Sequence, residues 1–285
     1  MSPPLKHVLD FLTYCVDTLK LGYSAINTVR SALSAFITIE NIPIGTHPVV
    51  IRFVKGIFQT KPVIPKNTTT WDVAVVFDYL KRLSPVAKLS LKDLTMKAVT
   101  LTAILSGQRA QSLYLSDIRN ITLSRSLVTI TFGDLLKQTR PGYQLESIKI
   151  KAYAPDRRLC LITVLTEYLE RTRPLRGVDT KLFITTVKPY HGASRQTISS
   201  WVKKTLQTAG VDMTTFTPHS TRSAATSAAK SSNIPLETIL KAAGWSNVKT
   251  FATYYQKPIQ QVGQFANSLL EKGGGAASDT SGLSD

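Results

Sequence analysis

Between Thr60 and Thr70 the chain reads TKPVIPKNTTT, and this stretch limits how the rest can fold. Pro62 and Pro65 lack an amide hydrogen, and the polar run around them offers nothing for a helix to bury, so no helix can continue through it. An inter-domain linker is expected there. Upstream, apolar residues recur at helical spacing. Ser2 and Pro3 suit a helix start, and Leu5, Leu9, Leu12, Val16 and Leu19 repeat until Gly22. A second helix is expected from Ser24, with Ile26, Val29, Leu33 and Phe36 on one face, and a third over Val50 to Phe58. Residues 1–64 therefore read as a small helical bundle. With 285 residues, 43% of them hydrophobic, the chain is nearer two domains than one.

Residues 65–270 read as a second, larger domain. Helices are expected over Trp71 to Leu83 and Leu91 to Leu105, the latter with Ser90 as N-cap and Asp93 in its first turn. Leu127 to Phe132 and Ser147 to Ile150 are β-prone and predict a small antiparallel sheet. The intervening GDLLKQTRPGYQLE predicts a hairpin or long turn that projects Lys137. Helices are expected again from Leu159 onward. Residues 271–285 are small and polar and predict a disordered tail. The fold class is thus mainly α with a small antiparallel β-sheet.

Charge narrows the partners. The 35 Lys and Arg against 18 Asp and Glu leave a net charge of +17, which attracts a polyanion and makes double-stranded DNA the leading partner. The bland reading is that the surface is simply basic. Two cysteines, Cys15 and Cys160, suffice for neither a disulfide framework nor a thiolate zinc site, so an intracellular protein is expected. Lys6, His7, Asp10, Asp17 and Lys20 interrupt the first 21 residues, which argues against a signal peptide or membrane span.

One of the four histidines stands in the run Thr217, Pro218, His219, Ser220, Thr221, Arg222. Thr217 fits an N-cap and Pro218 a first helical turn. His219 and Arg222 then share a face where free amides and the helix dipole favour an anion, although a solvated surface helix would look the same. Pro235 to Ala243 predicts a helix stopped by Gly244, followed by Trp245. Ser246 can cap a last helix in which Val248, Phe251, Ala252 and Tyr255 form one apolar stripe. Tyr254 is then turned about 100° away and available.

Taken together, TPHSTRSAATSAAKSSNIPLETILKAAGWSNVKTFATYY resembles the C-terminal catalytic segment of the tyrosine recombinases, the integrase family. In that family a His-x-x-Arg box is followed by His or Trp and, nine residues later, by a nucleophilic tyrosine, as Trp245 and Tyr254 are spaced here. The resemblance extends to LTAILSGQRAQSLYLSDI, where Arg109 occupies the place of the first arginine, and to Lys137 in the place of the hairpin lysine. It implies a helical core-binding domain (1–64) and a catalytic domain (65–270) that clamp duplex DNA. It also implies the catalytic set Arg109, Lys137, His219, Arg222, Trp245 and Tyr254, with no metal and no cofactor. Lys137 would protonate the departing 5′ oxygen. Strand exchange in the family occurs in a homotetramer, and a last helix bearing Val262, Phe265 and Leu269 could dock on a neighbour or pack in cis. Ser112 departs from the family's acidic residue three positions after the first arginine, so support for Arg109 is expected from elsewhere. Gln108 replaces an apolar neighbour, and SGQRAQSL is closer in wording to recombinases of eukaryotic mobile elements.

The residue types suit phosphoryl chemistry. Guanidinium groups bind non-bridging oxygens bidentately, and an imidazole and an indole N–H can assist. Asp117, Asp134, Glu146 and Asp156 have no recognised metal-site spacing, which argues against a metal-dependent nuclease. No G-x-x-x-x-G-K-[ST] loop occurs. A type IB topoisomerase or a domesticated, inactive DNA-binding protein of the same fold remains as an alternative.

Overall fold

The first unit, Met1–Lys66, is built around three helices. Helix α1 (Leu5–Asp17) contributes Val8, Leu12 and Cys15 to its core, and α3 (Pro48–Thr60) contributes Val50, Val54 and Ile57. The spacings of three and four put each set on one face. Helix α2 (Tyr23–Ser34) adds Ile26. It stops two residues short of Phe36, which is 88% exposed, because the chain turns there into a hairpin that the sequence pattern did not predict. Its strands β1 (Thr38–Ile39) and β2 (Ile42–Pro43) are only two residues long. Glu40 and Asn41 between them both adopt positive φ, as a tight primed turn requires. Gly45 then passes so close to α2 that an added Cβ would lie 2.7 Å from Ser34 Cβ. The computed structural model describes residues 3–62, 68–133, 146–245 and 248–259, with the side chains of Thr250 and Tyr254 excepted. Lys137, Ser246, Val262, Phe265, Leu269 and the tail lie outside the described residues.

The second unit, Asn67–Asp285, is organised about one helix. Helix α4 (Val73–Arg82) starts where the Asp72 carboxylate accepts from Ala74 N. Helix α5 (Leu91–Ser106) starts where Ser90 Oγ accepts from Asp93 N and donates to the Asp93 carboxylate. From Leu94 to Ile104 every residue of α5 is buried, with α7, α8 and α9 packed around it. Two of its hydroxyls are satisfied inside the helix: Thr102 donates to Ala98 O at 2.7 Å and Ser106 to Thr102 O at 2.6 Å. Gly107, at φ +59°, ends it.

Helix α6 (Ala110–Leu115) leads into a three-stranded antiparallel sheet in the order β3 (Ile121–Leu123), β4 (Leu127–Ile130), β5 (Ile148–Lys151). The register pairs Leu123 with Val128 and Ile130 with Ile148. Strand β3, three residues long, is too short for its periodicity to be read from sequence. Helices α7 (Leu161–Thr172), α8 (Arg195–Ala209), α9 (Ser220–Ser231), α10 (Leu236–Ala243) and α11 (Val248–Tyr254) follow.

The expectation of helices continuously from Leu159 is corrected between α7 and α8, where residues 176–194 are irregular. Pro189, Gly177 and Gly192 work against a helix there. Buried side chains organise the segment instead: Arg176 donates to Thr172 Oγ1 and Leu182 O, both at 2.8 Å, and Tyr168 Oη accepts from Ile184 N. Helix α9 also begins later than expected. Its N-cap is His219, preceded by a turn in which Thr217 O accepts from Ser220 N. Among the described residues no helix is long and apolar enough to cross a membrane.

Lys97 is fully buried on α5. Its ammonium donates to Leu80 O (2.9 Å), Leu83 O (2.6 Å) and Ser84 Oγ (3.3 Å), which caps the C-terminal end of α4. Burial pushes its pKa from 10.5 down to about 8. Because the folded value lies below the unfolded one, the charged amine costs stability below the folded value, and that cost is relieved as pH rises toward the unfolded value. Replacing Lys97 with Met leaves the carbonyls without a donor and is expected to cost about 1–3 kcal/mol near neutral pH. In urea unfolding the deficit should widen between about pH 8 and 10.5.

Candidate active site

Where α5 turns into α6, a cavity of about 130 Å³ opens, walled by Leu113 of α6 and by Ser199 and Val202 of α8. Arg109, His219 and Arg222 all line it. Arg109 is the N-cap of α6, with extended backbone and a half-buried side chain. His219 precedes α9, and Arg222 follows on its first turn.

Arg222 is 1% exposed. Its Nη1 donates to Gly107 O at 3.0 Å, its Nη2 donates to Ala243 O, and its guanidinium lies 4.1 Å from the centre of the Trp245 ring. Ala243 O is at the C-terminal, electronegative end of α10. Gly244, in the left-handed region at φ +69°, turns the chain so that Trp245 N reaches Leu240 O and the indole comes under Arg222. Burial, and next the charge of Arg109, push Arg222 down to about 9, against a pull upward from Tyr255. It remains a cation at neutral pH.

The surroundings of these two arginines are short of acceptors. Among the described residues neither pairs with a carboxylate. Arg109 Nη1, Arg222 Nε, Thr221 Oγ1 and Trp245 Nε1 are buried without a hydrogen-bond partner. Buried donors are ordinarily satisfied, so this cluster suits an acceptor that the described residues do not supply. Two like charges with unused N–H groups on one small cavity suit an anion with several oxygens.

Gln108 organises the turn. Its Nε2 donates to Ala242 O at 2.7 Å, and its Oε1 accepts from Ser112 Oγ at 3.1 Å. Ser112 therefore acts on Gln108. The support of this turn comes from an amide that ties it to the last turn of α10.

Behind α9, a second set of contacts holds the chain after α11. Tyr255 O accepts from Ser223 Oγ and Ser227 Oγ, both at 2.9 Å, and Lys257 N donates to Ser227 Oγ. Thr70 N donates to Pro258 O, and Trp71 Nε1 donates to Ser220 Oγ. The backbone of Tyr254 closes α11, and its side chain lies outside the described residues. The expected apolar stripe holds only in part: Phe251 is buried and Tyr255 half-buried, whereas Val248 and Ala252 are exposed. A seven-residue helix docked through Phe251 on Trp245 leaves Val248 and Ala252 to solvent.

Of the residues singled out in sequence, Arg109, His219 and Arg222 meet on one cavity, Trp245 lies against Arg222, Tyr254 is placed by its backbone, and Lys137 lies outside the described residues. Sequence reasoning missed the bridging role of Gln108, the grip of Ser223 and Ser227, and the hydroxyl of Tyr255, 3.2 Å from His219 Nε2. The pair Ser223 and Ser227, one helical turn apart among alanines, was the available signal for a polar seam on α9.

Comparison with known proteins gives a consistent result. The model of the phage integrase family matches residues 75–260. Among solved structures, the Tn1549 transposon integrase in complex with circular intermediate DNA aligns over 95% of this chain and 87% of its own, with 13% identity and a TM-score of 0.58. The XerH site-specific recombinase bound to palindromic difH substrate aligns over 95% and 71%, with 14% identity and a TM-score of 0.56. The XerA recombinase aligns over 94% and 82%, with 13% identity and a TM-score of 0.51. At such identities the likeness is one of fold. A search of curated protein sequences gave no match. Replacing Gln108 with Leu strips the Ala242 carbonyl and the Ser112 hydroxyl of their partner and is expected to cost about 1–3 kcal/mol in chemical denaturation. Ser112→Ala, which leaves the Ala242 bond intact, should cost less.

Proposed function

The chain belongs to the phage integrase family of tyrosine recombinases, and on that premise we propose that it cuts and rejoins DNA through a transient covalent bond between Tyr254 and a backbone phosphate. The observation that carries this reading is the set of unsatisfied buried donors around Arg109 and Arg222, two cations on one cavity with no carboxylate between them among the described residues.

Attack of the Tyr254 oxygen on phosphorus develops negative charge on the non-bridging oxygens, which the two guanidinium groups receive. A phenol of ordinary pKa about 10 must lose its proton to attack, and His219 on the same cavity is a group that can take part in that transfer. The bond to the 5′ oxygen breaks as the new ester forms, and Lys137 supplies the proton to the departing oxygen. The 3′-phosphotyrosyl ester conserves the energy of the broken linkage. A 5′ hydroxyl from a second strand then attacks phosphorus and releases the tyrosine, so neither ATP nor water enters the cycle. Trp245 serves as the bed of Arg222 and offers its indole N–H to the phosphate.

The net charge of +17 supports double-stranded DNA as substrate. The Tn1549 transposon integrase and the XerH recombinase, to which the chain is similar, are seen in complex with DNA, which supports a role in integration, excision or transposition of a mobile element. We assign strand exchange to a homotetramer on paired sites, with the segment carrying Val262, Phe265 and Leu269 docking on a neighbouring protomer.

The test uses nicked duplexes of randomised sequence, which on cleavage release the short fragment bearing the free 5′ hydroxyl and so trap the intermediate. Wild type should give a DNA adduct that survives SDS. Tyr254→Phe should give none. Arg109→Ala should slow its formation roughly a hundredfold to a thousandfold. An undiminished adduct in Tyr254→Phe would remove Tyr254 as the nucleophile, and its absence in wild type would remove the enzymatic reading.

A further inference from the structure

We infer that Tyr255, the neighbour of the proposed nucleophile, is a positioning residue of the cleavage step: its hydroxyl orients the His219 imidazole while its ring and backbone fix the end of α11 against α9. The inference rests on the reading of Tyr254 as the nucleophile and assigns a separate task to the tyrosine beside it.

Packing alone would not need a tyrosine at this position. The Tyr255 ring lies 4.4 Å from Trp245 and 5.5 Å from the Arg222 guanidinium, contacts a phenylalanine would make equally well. The hydroxyl has its own geometry, 3.2 Å from His219 Nε2, with the two rings edge to face at 6.0 Å. A phenol is both donor and acceptor. It can donate to Nε2 of a neutral imidazole and accept from Nε2–H of the cation, so the contact persists as a proton enters or leaves His219. His219 is exposed at the mouth of the cavity, so a bond to its Nε2 bears on how the ring is presented there.

The backbone of Tyr255 makes this placement stiff. Its N–H donates to Phe251 O, and its carbonyl is held twice, by Ser223 and Ser227 of α9. Arg222 and both serines share that helix, and His219 caps it. Arg222, His219 and the peptide that follows Tyr254 are thereby referred to one rigid element. An error in the position of Tyr255 is passed to Tyr254 through a single peptide unit and to His219 through a single hydrogen bond.

Two charged groups share the cavity with the His219 ring. Arg109 from the start of α6 and Arg222 from α9 line the same cavity, α8 contributes the uncharged Ser199 and Val202, and the end of α11 contributes Tyr255. Both arginines disfavour a cationic imidazole. A hydrogen bond from a charged donor is stronger than one between neutral groups, so the phenol oxygen favours the cation and opposes them.

The experiment follows adduct formation against pH on a nicked duplex selected by wild type from the randomised pool. Wild type, Tyr255→Phe and Tyr254→Phe are compared, with thermal unfolding and DNA affinity measured alongside. Tyr255→Phe keeps the ring and the backbone bonds, so it should fold and bind DNA as wild type does. It should still form the adduct, roughly three- to thirtyfold more slowly, and its acidic limb should move to lower pH by about half a unit to one unit. Tyr254→Phe should form none.

A Tyr255→Phe profile that superimposes on wild type overturns the inference. So does a slower rate with an unmoved pH limb, since loss of packing alone would do that. An adduct lost in Tyr255→Phe but kept in Tyr254→Phe makes Tyr255 the nucleophile and overturns the inference together with the Tyr254 assignment. No adduct in wild type removes the reaction on which both rest.

Discussion

The burial of one guanidinium holds the catalytic unit together. Arg222 is nearly inaccessible, and removing a charge from water costs several kcal/mol unless the interior answers it. Here the answer is two backbone carbonyls and an aromatic face: Gly107 O from the turn between α5 and α6, Ala243 O from the end of α10, and the indole of Trp245. Because these come from separate elements, the cation locks the α5–α6 turn, α9 and α10 into one arrangement. Gln108 strengthens the lock by reaching Ala242 O, so two side chains cap the last turn of α10. Gly244 makes it sterically possible, since its left-handed backbone returns Trp245 beneath the guanidinium.

The lock leaves something over. With two of its nitrogens committed to carbonyls, Arg222 still has Nε unsatisfied, and Arg109 has Nη1 in the same condition. Such groups are destabilising in a protein at rest and become assets when an oxyanion reaches them. The two faces of α9 divide the work. The first turn presents His219 and Arg222 to the cavity, and the seam of Ser223 and Ser227 grips the chain just beyond Tyr254. Thr70, at the entrance to the unit, adds a backbone bond to Pro258.

Much of the fold was legible because its helices obey simple rules. The α3 set Val50, Val54 and Ile57 and the Ser90–Asp93 start of α5 follow from spacing and capping. Elements that depend on distant partners were not legible. The β1–β2 hairpin has strands too short to show a period, and residues 176–194 are ordered by Arg176 and Tyr168, whose partners no local pattern reveals. At the site, His219 and Arg222 stood out in the sequence itself, and Arg109 and Trp245 were named by resemblance to the family's motifs. Gln108 and Ser112 read as departures from a pattern, and only their mutual bond, together with the reach to Ala242, explains them. Tyr255 was assigned to an apolar stripe because helical periodicity registers its ring and is blind to its hydroxyl.

The central claim is that the unsatisfied donors of Arg109 and Arg222 await one phosphate. The most direct measurement is a structure of the protein with vanadate bridging the ends of a nicked DNA site, where vanadium stands for the phosphorus under attack. Its equatorial oxygens should accept from Arg109 Nη1 and Arg222 Nε at about 2.7–3.0 Å, with the Tyr254 oxygen in line behind the metal. A vanadate bound elsewhere, with those two nitrogens still lacking an acceptor, would contradict the account.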